Sequence, residues 1–439
     1  MSELKRKLST KPYKGTRDFY PQTMRLRNHI FDTMRSTAKL FGYEEYDGPL
    51  LEKYEVYAAK TGEEIVNEQL YHFEDRGGRH VAIRPEMTPT VARMVAARIQ
   101  ELPKPIRWFS IPNLWRYERP QRGRLREHWQ FNVDIFGVDT IDADAEIIEL
   151  SAAVMRAFGA KPGDFEIRIS NRRLLNEFFE KILKLDDTHS SAISRIIDKK
   201  DKVTSDIFSA MLKDARLDDD KILKLNNFLA LNNQQLKLHP AFNSIGGQEI
   251  ASLFDKLDES ELRQYCRLDL SIVRGLDYYT GTVFEMYDTS PKNRRALFGG
   301  GRYDDLVGLF SSVQLSGVGF GMGDVTVEDF LKTHDLVPDL TPAADVFITL
   351  FDENCLPATS QISRNLRRNG CRVYRQLEPA KLGKQFKQAD QMNIPIVVVM
   401  GPDEIAAGEA TLKYLATKEQ VTLRISEVVH QIQKWLAGI

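Results

Sequence analysis

From about residue 171 to residue 262 the chain loses its strand signals, and that gap constrains the fold more than any other feature. Leu174, Leu175, Phe178, Phe179, Ile182 and Leu183 recur there at helical spacing among charges. Strand-like alternation comes before the gap and resumes at 267–289. A sheet that spans the gap must be completed by strands remote in sequence, with a helical insertion leaving and re-entering it. The expected class is therefore α+β, with a mainly antiparallel sheet flanked by helices.

The rest of the chain reads around that frame. Residues 21–42 form an amphipathic helix behind Pro21, followed by a strand near 43–47 and a break at Gly48-Pro49. Glu63–Leu70 looks helical, and 71–74 and 80–83 flank Asp75-Arg76-Gly77-Gly78 as a hairpin. Helices are expected at 89–99 and 143–158, with strands at 106–111 and 131–136. Residues 296–323 are glycine-rich, and Asp324–Leu331 begins a helix. The first 330 residues thus form one core, 331–342 (with Pro338 and Pro342) a linker, and 343–439 a small α/β domain. Its strands at 345–351, 371–375 and 395–400 alternate with helices, which predicts a mostly parallel sheet.

Two stretches carry chemistry. Arg274-Gly275-Leu276-Asp277-Tyr278-Tyr279 crowds a cation, an acid and two phenols ahead of the alternating Thr282-Val283-Phe284-Glu285. Read as a strand, it puts Arg274, Leu276 and Tyr278 on one side and Asp277 and Tyr279 on the other, a register that a turn at Gly275 would alter. Such polar tips need partners, from a structural network beside a hairpin or from a ligand. The second stretch holds five arginines against one glutamate between Arg116 and Arg126, with Pro120 and Gly123 marking a loop. Arginine forks match phosphate and carboxylate geometry. The loop hangs from apolar strands whose continuation carries Gln130 and Asp134 at strand spacing, which favours phosphate or nucleic-acid contact over a solvated loop.

Composition narrows the class further. Net charge is -1, so any polyanion must be met locally. The three cysteines are scattered, which excludes a disulfide scaffold and a cysteine zinc site and suits the cytoplasm. The histidines show no metal-ligand spacing. No apolar run is long enough for a membrane span, and the start Met-Ser-Glu-Leu-Lys-Arg-Lys has no apolar signal region. Gly317 to Gly323 has glycine at every second position, not the Gly-x-Gly-x-x-Gly of a dinucleotide fold, and no Gly-x-x-x-x-Gly-Lys-Ser/Thr loop exists. Those glycines imply close packing of a strand against a helix, with room left for a ligand. Thr88 between Pro85 and Pro89 suits a helix cap, and Glu86 beside it could hold a ligand amine.

Together these segments resemble the class II aminoacyl-tRNA synthetases, and specifically the histidyl-tRNA synthetase family, from Lys14-Gly15-Thr16-Arg17-Asp18 into the C-terminal domain. Glu44–Leu51 looks like motif 1, Trp115–Gln130 like motif 2, and Gly317–Leu331 lies where motif 3 belongs. Arg274–Glu285 looks like the histidine-specific signature. The tail, with Lys384–Asp390 and Gly401-Pro402-Asp403-Glu404, is similar to the family's anticodon-binding domain.

The resemblance implies histidine activation by ATP with Mg²⁺, then transfer of histidine to its tRNA, in a cytoplasmic homodimer. It implies catalytic roles for Arg116 and Arg274 on the α-phosphate. Glu86, Thr88 and Gln130 would hold the α-amino group, and Asp134 and Tyr279, beside Tyr278, the imidazole. Glu118, Arg124, Glu127 and His128 would hold ATP, His128 standing where the family has an aromatic that stacks on adenine. Gln121, Arg122 and Arg126 would face the tRNA acceptor end, and no side-chain metal set is implied. The family's motif 3 usually ends Gly-Leu-Glu-Arg, and here the aligned residues are Gly323-Asp324-Val325-Thr326. Either Arg302 or Arg124 supplies the missing cation, or ATP binding is weakened.

The alternative is the family's regulatory paralogue, a non-catalytic histidine-sensing subunit of ATP phosphoribosyltransferase that lacks the anticodon-type tail. Asp134→Ala is expected to raise the histidine requirement far more than the ATP requirement in steady-state kinetics. Equal effects on both would remove that role from Asp134.

Overall fold

Period-two alternation on the strands either side of the helical insertion sets the layout. The computed structural model describes residues 8–59, 65–273, 278–293, 296–340 and 342–438. The chain divides into two compact units, Met1–Pro338 and Asp339–Ile439.

In the larger unit, helix α1 (Pro21–Leu40) leads to strand β1 (Glu44–Glu45), then β2 (Leu51–Lys53), α2 (Tyr54–Ala58), β3 (His72–Glu74), β4 (His80–Ile83) and α3 (Thr88–Ala97). Strands β5 (Ile106–Ser110), β6 (Asn113–Trp115) and β7 (Glu127–Phe136) follow, then α4 (Ile141–Ala157) and β8 (Phe165–Asn171). The insertion is helical as expected: α5 (Arg172–Glu177), α6 (Asp187–Ile197), α7 (Ser205–Asp214), α8 (Asp219–Leu229), α9 (Asn233–Leu238) and α10 (Ile245–Glu259). The sheet resumes with β9 (Cys266–Leu268), β10 (Thr282–Asp288), β11 (Ala296–Tyr303) and β12 (Gly317–Gly323), and α11 (Asp324–Thr333) closes the unit. This helix carries on through Thr333, so the connecting segment begins at His334 and not at 331.

Among the described residues nine strands form one sheet in the order β1-β5-β7-β12-β11-β10-β8-β9, with β6 also on β7. Only the β1–β5 and β8–β9 pairings are parallel. The strands on either side of the insertion meet directly, Val283 opposite Ser170 and Glu285 opposite Arg168. One face of the sheet is apolar: Phe131, Val133 and Ile135, then Val318, Phe320 and Met322, with Phe298, Phe284, Ile167 and Ile169, are all buried. Phe320 anchors it, its ring 5.7 Å from Phe131 and 5.7 Å from Phe298. Helices α1, α4 and α11 cover this face. Each such side chain taken from water contributes about 1.5–3 kcal/mol. Strands β2, β4 and β3 make a separate small sheet, confirming the hairpin expected at 71–83.

Three expectations change. The signature stretch is not a strand throughout: β10 starts only at Thr282, because Thr280 N–H is drawn to the Arg302 carbonyl and its hydroxyl to Asp304. Tyr278 and Tyr279 therefore do not alternate; their rings lie 4.9 Å apart in one buried cluster. Arg274, Gly275, Leu276 and Asp277 lie outside the described residues. Arg302 is no candidate for a phosphate ligand. It sits on the helix-covered face, 5% exposed, ion-paired with Asp144 of α4 and donating to the Val138 and Thr140 carbonyls and to Ser316.

The smaller unit comprises β13 (Val346–Ile348), α12 (Leu356–Arg368), β14 (Val373–Arg375), α13 (Leu382–Gln391), β15 (Ile396–Val399), α14 (Pro402–Ala407), β16 (Glu409–Tyr414), β17 (Gln420–Arg424) and α15 (Val428–Leu436). Central β13 is fully buried, as a strand covered on both faces requires. The sheet is evenly mixed and not mostly parallel: β14, β13 and β15 are parallel, and β16 and β17 extend them antiparallel.

Arg302→Met would leave Asp144 a buried carboxylate with its partner removed, which costs about 3–5 kcal/mol. The thermal midpoint of the larger unit should fall accordingly, and the double variant with Asp144→Leu should recover most of the loss. An unchanged midpoint in the single variant would contradict burial of the pair.

Candidate active site

The opposite face of the sheet is built for polar occupants. Across it run Gln130, Asn132 and Asp134 of β7, Gly323, Gly321 and Gly319 of β12 opposite them, and Gly299 and Gly301 of β11 beyond. The glycines are not there to admit a helix, as their spacing suggested. They make room for side chains from neighbouring strands and loops. A Cβ on Gly321 would lie 2.7 Å from the Gln130 amide, and one on Gly301 2.8 Å from the Tyr279 ring. A Cβ on Gly319 would strike the Asp134 carboxylate. The result is a bare floor with Asp134 and Gln130 along one side and Tyr279 along another.

Asp134 is the centre of the floor, 1% exposed. Its Oδ1 accepts the Tyr303 hydroxyl, and its Oδ2 is buried without a partner among the described residues. Burial pushes its pKa up to about 7, with the Tyr303 hydrogen bond opposing the rise. Burial and the Asp134 charge in turn push the Tyr303 phenol up, so it stays a donor. Tyr278 packs against Tyr303 with ring centroids 5.7 Å apart. The Tyr278 hydroxyl donates to Glu86 Oε2 at 3.4 Å. Glu86 and Thr88, both buried, precede and open α3, and Thr88 Oγ1 accepts from Asn132 at 3.5 Å. Asp134, Gln130, Glu86, Thr88, Tyr278 and Tyr279 are thus gathered at one place from three segments.

The arginine-rich loop overhangs the end of β7. Arg116 Nε donates to the Pro85 carbonyl at 2.9 Å, which ties the loop's first arginine to the segment bearing Glu86. Its tip is a tight turn, Gln121 and Arg124 exchanging backbone bonds around Gly123 at φ +76. Arg124 is half-exposed, 3.9 Å from Glu118. Arg122 reaches Asp329 of α11 at 3.0 Å. Arg126 is turned inward: it donates to the Tyr13 hydroxyl at 2.7 Å and lies 3.9 Å over the Tyr117 ring. On β7 itself, His128 shares the parity of Gln130, and burial with Arg116 and Arg17 nearby lowers its pKa and keeps the imidazole neutral. Glu127 alternates to the other side and accepts from Asn113 at 3.3 Å.

Thr326 stands in the first turn of α11, its hydroxyl on the Leu297 carbonyl at 2.8 Å and its methyl 3.7 Å from where a Cβ of Gly123 would be. It faces the loop tip and carries no charge there. Of the two arginines expected to supply the missing cation, Arg302 is committed to Asp144, and Arg124 stays half-exposed on the loop. Sequence reasoning missed Tyr303, the partner of Asp134. It also missed Asp324, which accepts Trp129 N–H at 2.9 Å and pairs with Arg17 at 2.7 Å. Parity could have placed Tyr303 on the glycine face, two residues past Gly301. Nothing local marks Asp324. Among the described residues no group of three His, Cys, Asp or Glu side chains could hold a metal ion.

The sequence profile of the family described as histidyl-tRNA synthetase matches residues 15–325, and that of an anticodon binding domain matches residues 345–435. A histidine–tRNA ligase of Leptospira biflexa is 46% identical over 432 residues, covering 98% of this chain and 99% of that protein. One of Opitutus terrae is 38% identical over 434 residues, 96% of this chain and 98% of that protein. The crystal structure of histidyl-tRNA synthetase from Nostoc sp. PCC 7120 superposes with a TM-score of 0.84 at 25% identity, covering 98% of this chain and all of that one.

The Asp134 carboxyl titrates between its unfolded value near 3.8 and about 7 in the fold. Over that window the unfolded chain gives up the proton first, so the charge penalises the fold increasingly as pH rises. Asp134→Asn keeps an acceptor for Tyr303 and does not titrate. Its stability advantage over the parent should be smallest near pH 4, grow by about 1.4 kcal/mol per pH unit at most, and level off above about pH 7. Urea midpoints across that range measure it; a difference independent of pH would mean Asp134 ionises normally.

Proposed function

The chain belongs to the histidyl-tRNA synthetase family, and on that premise we propose how its residues carry out histidine–tRNA ligation. The enzyme joins histidine to tRNA at the expense of ATP. The observation that carries the assignment of the amino-acid pocket is Asp134: a buried carboxylate with one oxygen on Tyr303 and the other unpartnered, on a floor cleared by glycines. An imidazole presents one donor and one acceptor. Asp134 Oδ2 accepts its N–H, and the Tyr279 hydroxyl serves its other nitrogen. Glu86, Thr88 and Gln130 hold the α-amino group, with Tyr278 holding Glu86 in place.

The histidine carboxylate attacks the α-phosphorus of ATP in line, and pyrophosphate leaves. Arg116, fixed by Pro85, meets the charge gathering on the α-phosphate oxygens, with Arg274 as its counterpart. His128, kept neutral, stacks on adenine. Arg124 takes the phosphate contact that Thr326 cannot make. Magnesium would be held by a carboxylate plus the substrate's own phosphates, and Glu118 beside the loop fits that donor set, whereas Glu127 is turned to the other side of β7. Bound there, it neutralises the phosphates. The terminal ribose hydroxyl of tRNA then attacks the adenylate carbonyl, and AMP leaves. Gln121 and Arg122 at the loop tip face the acceptor end, and the buried Arg126 holds the loop in shape.

Histidine tRNA is the partner this reading requires, with the 345–435 unit on its anticodon. The motif 1 segment Glu44–Leu51 serves a homodimer. No helix among the described residues is long and apolar enough to cross a membrane, and a cytoplasmic place suits an enzyme of translation. The regulatory alternative loses ground because relatives named histidine–tRNA ligase match along the whole chain, tail included.

Histidine-dependent ATP–pyrophosphate exchange, with other amino acids as controls, tests the reaction. Exchange with histidine alone is expected. Binding of histidine by calorimetry without any exchange would return the chain to the sensing role.

A further inference from the structure

Behind Asp134 lies a set of polar groups that no step of the reaction uses. Tyr46 N–H donates to the Phe109 carbonyl at 2.9 Å, continuing the parallel pairing of β1 with β5. That brings Tyr46 alongside Ser110, which pairs with Asn132, one step along the strands from the pairing of Trp108 with Asp134. The Tyr46 and Trp108 rings lie 5.5 Å apart. Tyr46 Oη, Ser110 Oγ, Asn132 Oδ1 and Asp134 Oδ2 are all buried; the Tyr46 hydroxyl lies against that of Ser110, and neither Asn132 Oδ1 nor Asp134 Oδ2 has a hydrogen-bond partner among the described residues.

Four such atoms in one neighbourhood are not left dry in a stable fold, because each unmet buried group costs about 1–3 kcal/mol. The imidazole can satisfy one of them, at Asp134. The others are complementary: two hydroxyls can donate, and an amide oxygen and a carboxylate oxygen accept. A buried water makes about three hydrogen bonds to groups of this kind. A carboxylate oxygen has two lone pairs, so Asp134 Oδ2 can take a water on one and an imidazole N–H on the other. The described titratable groups whose charge is felt with that of Asp134 are phenols: Tyr303 on β11, Tyr278 ahead of β10, and Tyr43 and Tyr46 flanking β1. Glu86 stands behind Tyr278. No described cation acts on Asp134, so hydroxyl donors are its means of staying ionised.

We propose that Tyr46 and Ser110, through one buried water shared with Asn132, donate to Asp134 Oδ2, making Tyr46 a positioning residue that holds Asp134 as the ionised acceptor of the substrate imidazole. This rests on the assignment of the floor as the histidine pocket. The Tyr46→Phe variant of the full chain removes the hydroxyl and keeps the ring on Trp108. In pyrophosphate exchange its KM for histidine should rise about tenfold near neutral pH and approach the parent's above about pH 8.5, where Asp134 ionises unaided. Its KM for ATP and its kcat should stay within about twofold. Ser110→Ala should shift the histidine KM in the same direction by less, and stands as the test if Tyr46→Phe does not fold. A histidine KM unchanged at every pH, or equal rises for histidine and ATP, would overturn the proposal. A parent enzyme without histidine-dependent exchange would instead overturn the functional reading beneath it.

Discussion

Everything in the larger unit depends on a sheet that must be dry on one face and able to hold charge on the other. Period-two alternation supplies both from the same strands. Phe131, Val133 and Ile135 point to the helices, while Gln130, Asn132 and Asp134 point away from them. The dry face provides the stabilising burial. The other face has side chains removed at Gly301, Gly319 and Gly321, so that Tyr279, Asp134 and Gln130 can lie over it. Glycine weakens a strand interior, and the aromatic packing behind the floor offsets that cost.

The arginines show how burial sorts charge. Arg302 is enclosed with Asp144, and Arg126 is enclosed by Tyr13 and Tyr117; both act on structure. Arg122 and Arg124, at the loop tip, keep more than half of their side chains exposed. An exposed guanidinium pair, such as Arg122 with Asp329, is worth little in water, so a phosphate or an RNA backbone can recruit such an arginine at small cost. Charge on the site face follows the reverse rule. Burial raises the affinity of Asp134 for a proton, the Tyr303 hydroxyl opposes the rise, and no cation among the described residues adds to that opposition.

Much was legible along the chain. The helical insertion, the hairpin at 71–83, the arginine-rich loop and the shared face of Gln130 and Asp134 all follow from local periodicity, which a reader of sequence can count. The misreadings also share a cause. Tyr278 and Tyr279 were expected on opposite sides because a strand was assumed where Thr280 is instead held by Arg302 and Asp304. Arg302 was one of two arginines offered for the missing phosphate contact, and the register of β11 with β12 puts it on the helix-covered face instead. The glycines were expected both to pack a strand against a helix and to leave room for a ligand; what they meet is Asp134, Gln130 and Tyr279, not a helix.

The sequence by itself determined which segments are strands, which are helices, and which stretches carry more polar chemistry than a core can use. These are properties of neighbours along the chain, set by side-chain period and turn residues. The partner of each polar group was decided only by the tertiary structure. Tyr303 reaches Asp134 across 169 residues, and Asn132, Ser110 and Tyr46 come into one row through the register of three strands. Whether a charged side chain is a strut or a ligand depends on what surrounds it, and burial is a property of the assembled sheet that no local pattern encodes.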